Sequence, residues 1–266
     1  RLTQANAKIS LIETLVSMMG PAFAGLLLLI SDLSGGLLLT ALLFAVSLIA
    51  ISRLPVQTVT PARADRKLRF LADFRESWDS FRSNRLLLVM TIFVMFSNCS
   101  IIVVQTCLVF HAKDVLHLSS SMTALTLSAA GIGGLIGSML IGRLRIKLGL
   151  GNLYGFVLLL HAASTVLLAS LHSIAIFVIA LIMIGFSFAL YNISIYTIRH
   201  EQTPPHFMGR IAGITGTLFR TGMPIAMYLS GWVIEAWGTA AVFTGAAVWN
   251  LLIFLLFIRS PLRKAN

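Results

Sequence analysis

A chain of 266 residues that is 58% hydrophobic and 11% charged, with a mean hydropathy of +0.93, lies far from the roughly one-quarter charged share of a soluble domain. No globular core of this length hides so much apolar sequence, so an ordinary water-soluble domain is excluded and the bilayer is the solvent for most of the chain. The net charge of +11 would suggest a nucleic-acid partner in a soluble protein, but apart from Arg220 the cations sit in connections between apolar runs and so report membrane orientation.

Apolar windows of about 20 residues, long enough to cross a hydrocarbon core of roughly 30 Å, fall at 9–30, 35–52, 86–110, 121–141, 152–170, 174–198, 211–233 and 239–258. None alternates as a barrel strand would, so the fold class read from the sequence is all-α, a polytopic membrane protein of eight transmembrane helices. The chain opens at Arg1 without a methionine, and its first apolar run of about 22 residues is too long for a signal-peptide core. It reads as N-terminally incomplete. Cys99 and Cys107 stand eight residues apart in one window, roughly 12 Å along a helix, too far for a disulfide.

Short cytoplasmic loops retain Lys and Arg, and translocated loops do not. One set of connections carries Arg1, Lys8, the cations from Arg53 to Arg85, Arg143, Arg145, Lys147, Arg199, Arg210, Arg259, Arg263 and Lys264. The alternate set carries Lys113 alone, with Asp32, Asp114, His117, His172 and Glu235. Both ends are therefore expected in the cytoplasm.

The division expected is two helices over 1–53, a cytoplasmic linker over 54–85 and a six-helix bundle over 86–266. Within the linker, Phe70, Phe74, Trp78 and Phe81 recur at helical spacing among Arg and Lys. That pattern fits a helix lying in the headgroup region, or a solvated linker helix. The last six windows divide into two threes whose middle helices each hold a GxxxG spacing, at Gly133–Gly137 and Gly209–Gly213. Three is odd, so the second triplet would be inverted relative to the first, as in many secondary transporters.

No GxxxxGK[ST] loop or dinucleotide fingerprint occurs, which argues against ATP-driven transport and names no cofactor. His200-Glu201 lacks the second histidine of a zinc protease, Pro204 standing in its place, and no serine-protease turn survives. The reading is thus not an enzyme. Two backbone patches stand out. Gly20-Pro21-Ala22-Phe23-Ala24-Gly25 would bend its helix, either as a coupling element or as a plain kink. Gly142 to Gly149 reads as a short basic turn with glycine at each end, its cations Arg143, Arg145 and Lys147 between them.

These patches resemble signatures of the major facilitator superfamily, and the whole chain is similar to that family's last eight helices. Gly20, Pro21 and Gly25 resemble the antiporter motif of the fifth helix in its drug and metabolite exporters. Gly142, Arg143 and Gly149 resemble the basic loop after the eighth helix, without the acidic residue of its fuller form. Gln202 through Gly209 and Arg210 is similar to the loop entering the eleventh helix in exporters such as the enterobactin and macrolide efflux proteins. The resemblance implies a secondary transporter that exports a small amphiphilic compound in exchange for protons. It further implies a bacterial inner membrane, the lipid bilayer as surroundings, no nucleic-acid partner and a monomer when complete.

Membrane-depth polar residues complete the candidate site. Arg220 lies nine residues into its window, and a charge at that depth pairs with another group or faces water. Glu13 lies inside the first window, able to bind a proton or cation or to reach back toward Lys8. Asn98 and Gln105 on one helix, with Tyr191, Asn192, Ser194 and Tyr196 on another, would correspond under the resemblance to cavity-lining seventh and tenth helices. They are candidate substrate contacts, or interhelical hydrogen bonds without a ligand. His161 reads as structural. The competing readings are a membrane-embedded enzyme or assembly subunit, which lacks a catalytic constellation, and a channel, which lacks a repeating polar ring.

Overall fold

A computed structural model describes residues 33–53, 66–170 and 173–265. Among the described residues all regular structure is helical: α1 (Leu33–Ser52), α2 (Arg66–Ser83), α3 (Arg85–Phe110), α4 (Ser120–Leu127), α5 (Ala129–Ser170), α6 (Ile174–Glu201), α7 (Met208–Thr221) and α8 (Met223–Ile258). Five helical runs among them are long and apolar enough to span a membrane. Two of these, Ser120–Ser170 and Pro205–Ile258, hold 51 and 54 residues. A straight helix of that length would reach roughly 75–80 Å, more than twice the hydrocarbon thickness.

Within each long run the longest helix, α5 or α8, is broken at a glycine. Gly149 has φ 73° and Gly238 has φ 74°, left-handed values that a residue without a Cβ adopts at little cost. The expected turn over Gly142–Gly149 is therefore corrected. Gly142 and Arg143 through Lys147 stay helical, and the break is confined to Gly149, because the helix need lose its pattern at only one left-handed residue to change direction.

The core lies between α3, α5, α6 and α8. Leu87, Met90, Leu153, Tyr154, Leu190 and Phe257 fill one half of it, and Val104, Cys107, Phe177, Leu181 and Phe243 the other. Long-range hydrogen bonds fix directions: Trp249 Nε1 donates to the Phe96 carbonyl (3.0 Å), Asn250 Nδ2 to Ser100 Oγ (2.7 Å), and His111 Nδ1 meets Thr239 Oγ1 (2.9 Å). Positions 96 and 100 of α3 meet 249 and 250 of α8, and position 111 just past α3 meets 239, so α3 and the last part of α8 run antiparallel. The outward surface remains apolar, with Leu255, Leu256, Ile225 and Ile146 exposed, which suits a lipid solvent. Helix α1 is exposed along almost all of its length, Phe44 at 72%.

Close approach is made by small residues. A Cβ on Gly133 would strike the Ile182 carbonyl, and one on Gly185 the Ala130 carbonyl, so α5 and α6 touch backbone to backbone. Gly137 repeats the contact one turn on, where an added Cβ would stand 2.8 Å from the Phe186 carbonyl oxygen. The second GxxxG behaves differently. Cβ atoms on Gly209, Gly213 or Gly216 would meet nothing within 4 Å, so no described helix packs closely on that stripe.

Candidate functional site

The basic connections gather at one end of the bundle. Asn84 caps α3 by accepting from the Leu87 N–H (3.1 Å) and donates from Nδ2 to the Gln202 carbonyl (3.0 Å), tying the start of α3 to the end of α6. Arg145 pairs with Glu201 at 2.6 Å, and Arg210 pairs with Asp73 of α2 at 2.8 Å and approaches Glu76 at 4.0 Å. The Gly151 N–H donates to the Ala265 carbonyl at the same end (2.9 Å). Glu201 thus gives the basic segment an acidic partner from a different helix, which no local motif announces. Both pairs are about half exposed, so each contributes at most about 1 kcal/mol.

Helix α2 covers part of this end. Phe81 is buried while Phe74 and Trp78 stack at 6.4 Å, and with Arg210, Gly213 and Leu218 they border a cleft of ≈ 380 Å³ between α2 and α7. The aromatic periodicity of the sequence therefore marks a helix that packs by one edge against its neighbours.

Near mid-span the structure brings together two of the predicted substrate contacts. Asn98 Nδ2 donates to the Phe219 carbonyl at 3.0 Å, and the Tyr191 hydroxyl donates to Asn98 Oδ1 at 2.8 Å. One carboxamide joins α3, α6 and α7. Gln105 is exposed, Asn192 is half-buried, and neither has a hydrogen-bond partner among the described residues. Tyr196 is exposed with the Arg199 guanidinium 4.8 Å above its ring. Ser194 is buried with its Oγ unpartnered.

Arg220 follows Phe219 directly, so the Asn98 bond also sets its depth. Asn98 lies thirteen residues after Arg85, roughly 20 Å along α3, near the middle of the 31-residue span Arg85–Val115. Arg220 is exposed there and has no ion-pair partner among the described residues. Pro224, four residues on, has no N–H to offer the Arg220 carbonyl, and the helix is interrupted at Gly222, where an added Cβ would stand 2.6 Å from Cys99 Sγ. Glu13, Gly20, Pro21 and Gly25 lie outside the described residues.

A mostly apolar pocket of about 20 Å³ lies inside the bundle, bordered by Ile101, Val157, Leu158, Ile184 and Phe188 together with Ser97, Gln105, His161, Ser187, Tyr191 and Asn250. That volume suits about one water and no organic substrate. His161 is 6% exposed and its Nε2 has no partner. No group of three or more His, Cys, Asp or Glu among the described residues is placed to hold a metal.

The sequence model of the Major Facilitator Superfamily matches residues 1–227 and again residues 109–266, so the matches together span the chain. The chain belongs to the Major Facilitator Superfamily. No curated protein matches it individually. Major facilitator proteins are transporters of small molecules across membranes rather than enzymes, and the apolar helices of this chain accord with an integral membrane protein.

Proposed function

We propose that this major facilitator protein exports small amphiphilic compounds in exchange for protons, through eight membrane crossings with both ends cytoplasmic in a bacterial inner membrane. In this reading residues 1–53 are two helices of an incomplete first bundle, 54–85 a linker, and 86–266 a six-helix bundle of inverted three-helix repeats. The observation that carries it is Arg220, exposed at the depth of Asn98 and without an acidic partner among the described residues. A guanidinium facing hydrocarbon at mid-span costs on the order of 3 kcal/mol, whereas one facing a water-lined path does not.

The roles follow from what each side chain has left to offer. Asn98 and Tyr191 use their polar atoms on each other and on Phe219, and hold the helices around the path. Gln105, Asn192 and Tyr196 keep free polar groups or ring edges for ligand. Glu13 and Arg220 act in coupling. Gly20, Pro21 and Gly25 let the first bundle bend, and Gly142, Arg143, Gly149, Gly209 and Arg210 serve the rocking motion at the basic end, where the ion pairs of Arg145 and Arg210 are weak enough to break in each cycle.

The test is proton flux in inverted vesicles energised with a pH gradient. Adding a transported amphiphile collapses the gradient in proportion to the amount of this protein, and Arg220→Gln at equal membrane level abolishes the effect. A gradient indifferent to a broad panel of amphiphiles would overturn proton-coupled export.

A further inference from the structure

We infer that the ligand of this protein is an organic anion, an aromatic or aliphatic body carrying a carboxylate, sulfonate or similar group. The inference rests on the transport reading above and adds the sign of the substrate's charge.

Two cations carry it. Arg220 is exposed on α7 at the depth of Asn98, and Arg199 is half-buried on α6, with its guanidinium over the exposed Tyr196 ring. Asn98 bonds to Tyr191 of α6 and to Phe219 of α7, so both helices flank α3 at one level. Arg199 lies eight residues beyond Tyr191, roughly 12 Å closer to the basic end. The two guanidiniums therefore mark different depths of the same three-helix group, with Asn192 and Tyr196 at intermediate levels along α6.

The charge balance decides the class. From Arg85 to Lys113, from Ser120 to His200 and from Met208 to Ile234 the chain holds no Asp or Glu. Glu201 is already paired to Arg145, and Asp73 and Glu76 to Arg210. Within these segments a cationic ligand would meet two guanidiniums and no carboxylate, Glu13 of the first window being assigned to the proton in the transport reading, and like-charge contact away from bulk water is costly. An anion meets a planar fork at Arg220 suited to two parallel hydrogen bonds, and its apolar body meets Tyr196 and Phe188, both exposed on α6.

Arg199 is the less obvious member, because at the sequence level it belongs to the orientation charges. Held against the Tyr196 ring on the helix face that Phe188 and Asn192 share by their spacing, it serves as the outer contact that an anion leaving Arg220 meets next on the way to the basic end.

The experiment compares two probes of matched size and opposite charge, 1-naphthylacetate and 1-naphthylmethylammonium, binding to the whole chain in lipid nanodiscs, with empty nanodiscs subtracted. Naphthylacetate is expected to bind saturably and at least about tenfold more tightly than the amine, about 1.4 kcal/mol. Arg220→Gln should weaken naphthylacetate about tenfold or more, and Arg199→Gln less. Arg220→Lys, which keeps the charge, should retain the anion preference if Arg220→Gln fails to remain monodisperse. Equal or tighter binding of the amine overturns the anion class and leaves the transport reading standing. Saturable binding of neither probe also overturns it as stated, while the proton-flux assay decides export separately.

Discussion

Asn98 and Phe219 are 121 positions apart, yet the Asn98 carboxamide donates to the Phe219 carbonyl at 3.0 Å while accepting from Tyr191. A side chain of one helix thereby caps the backbone of another just before its interruption at Gly222, where the bond to α3 fixes the level of Arg220. Loss of this amide leaves the Phe219 carbonyl short of a partner, although the Tyr191 hydroxyl retains the Val94 carbonyl at 3.3 Å.

Asn98→Leu should therefore destabilise the bundle by about 1–3 kcal/mol, and Tyr191→Phe by about 1 kcal/mol. The double variant should cost less than the sum, because the two share one bond. Thermal unfolding of the purified protein in detergent measures all three, and strict additivity would break the claimed coupling.

The two GxxxG spacings should respond oppositely to bulk. Gly133→Val drives a side chain into the Ile182 carbonyl and should lower the unfolding midpoint by roughly 3–10 °C or abolish folded protein. Gly213→Val enters open space and should change the midpoint by only about 1–2 °C. If Gly213→Val proved the more damaging for stability, α7 would be packed on a helix outside the described residues.

Single cysteines report topology. Arg69→Cys, Arg145→Cys and Arg263→Cys should be labelled by an impermeant thiol reagent from the same side, and His117→Cys and Glu235→Cys from the other, because Lys and Arg are concentrated on one set of connections. In intact cells the first set should stay unlabelled until the membrane is permeabilised. Labelling of Arg145→Cys from outside would end the eight-crossing reading.

His161 carries a buried Nε2 without a partner beside a pocket of about 20 Å³. An unpaired buried polar atom costs about 1–3 kcal/mol, so His161→Leu, similar in bulk, should leave the unfolding midpoint unchanged or raise it by a few degrees. His161→Ala should lower it, because the pocket enlarges into a true cavity. A large loss of stability in His161→Leu would mean that the imidazole holds a bound water.

The membrane class, the apolar windows from 86 onward and the grouping of basic connections were legible in the chain itself. Hydropathy and charge are local properties, and lipid imposes helices on any long apolar run whatever its neighbours. Long-range pairing was not legible. Arg145 and Glu201, Arg210 and Asp73, or Asn98 and Phe219 meet only because helices far apart in sequence cross at particular heights. Gly133 and Gly213 stand in identical spacings, and only the tertiary structure separates them, one against the Ile182 backbone and one in the open. The sequence likewise placed a turn across Gly142–Gly149, whereas the packing of α5 left Gly149 alone to take the left-handed value, since helical hydrogen bonds between apolar neighbours are kept wherever a single residue without a Cβ can absorb the change of direction.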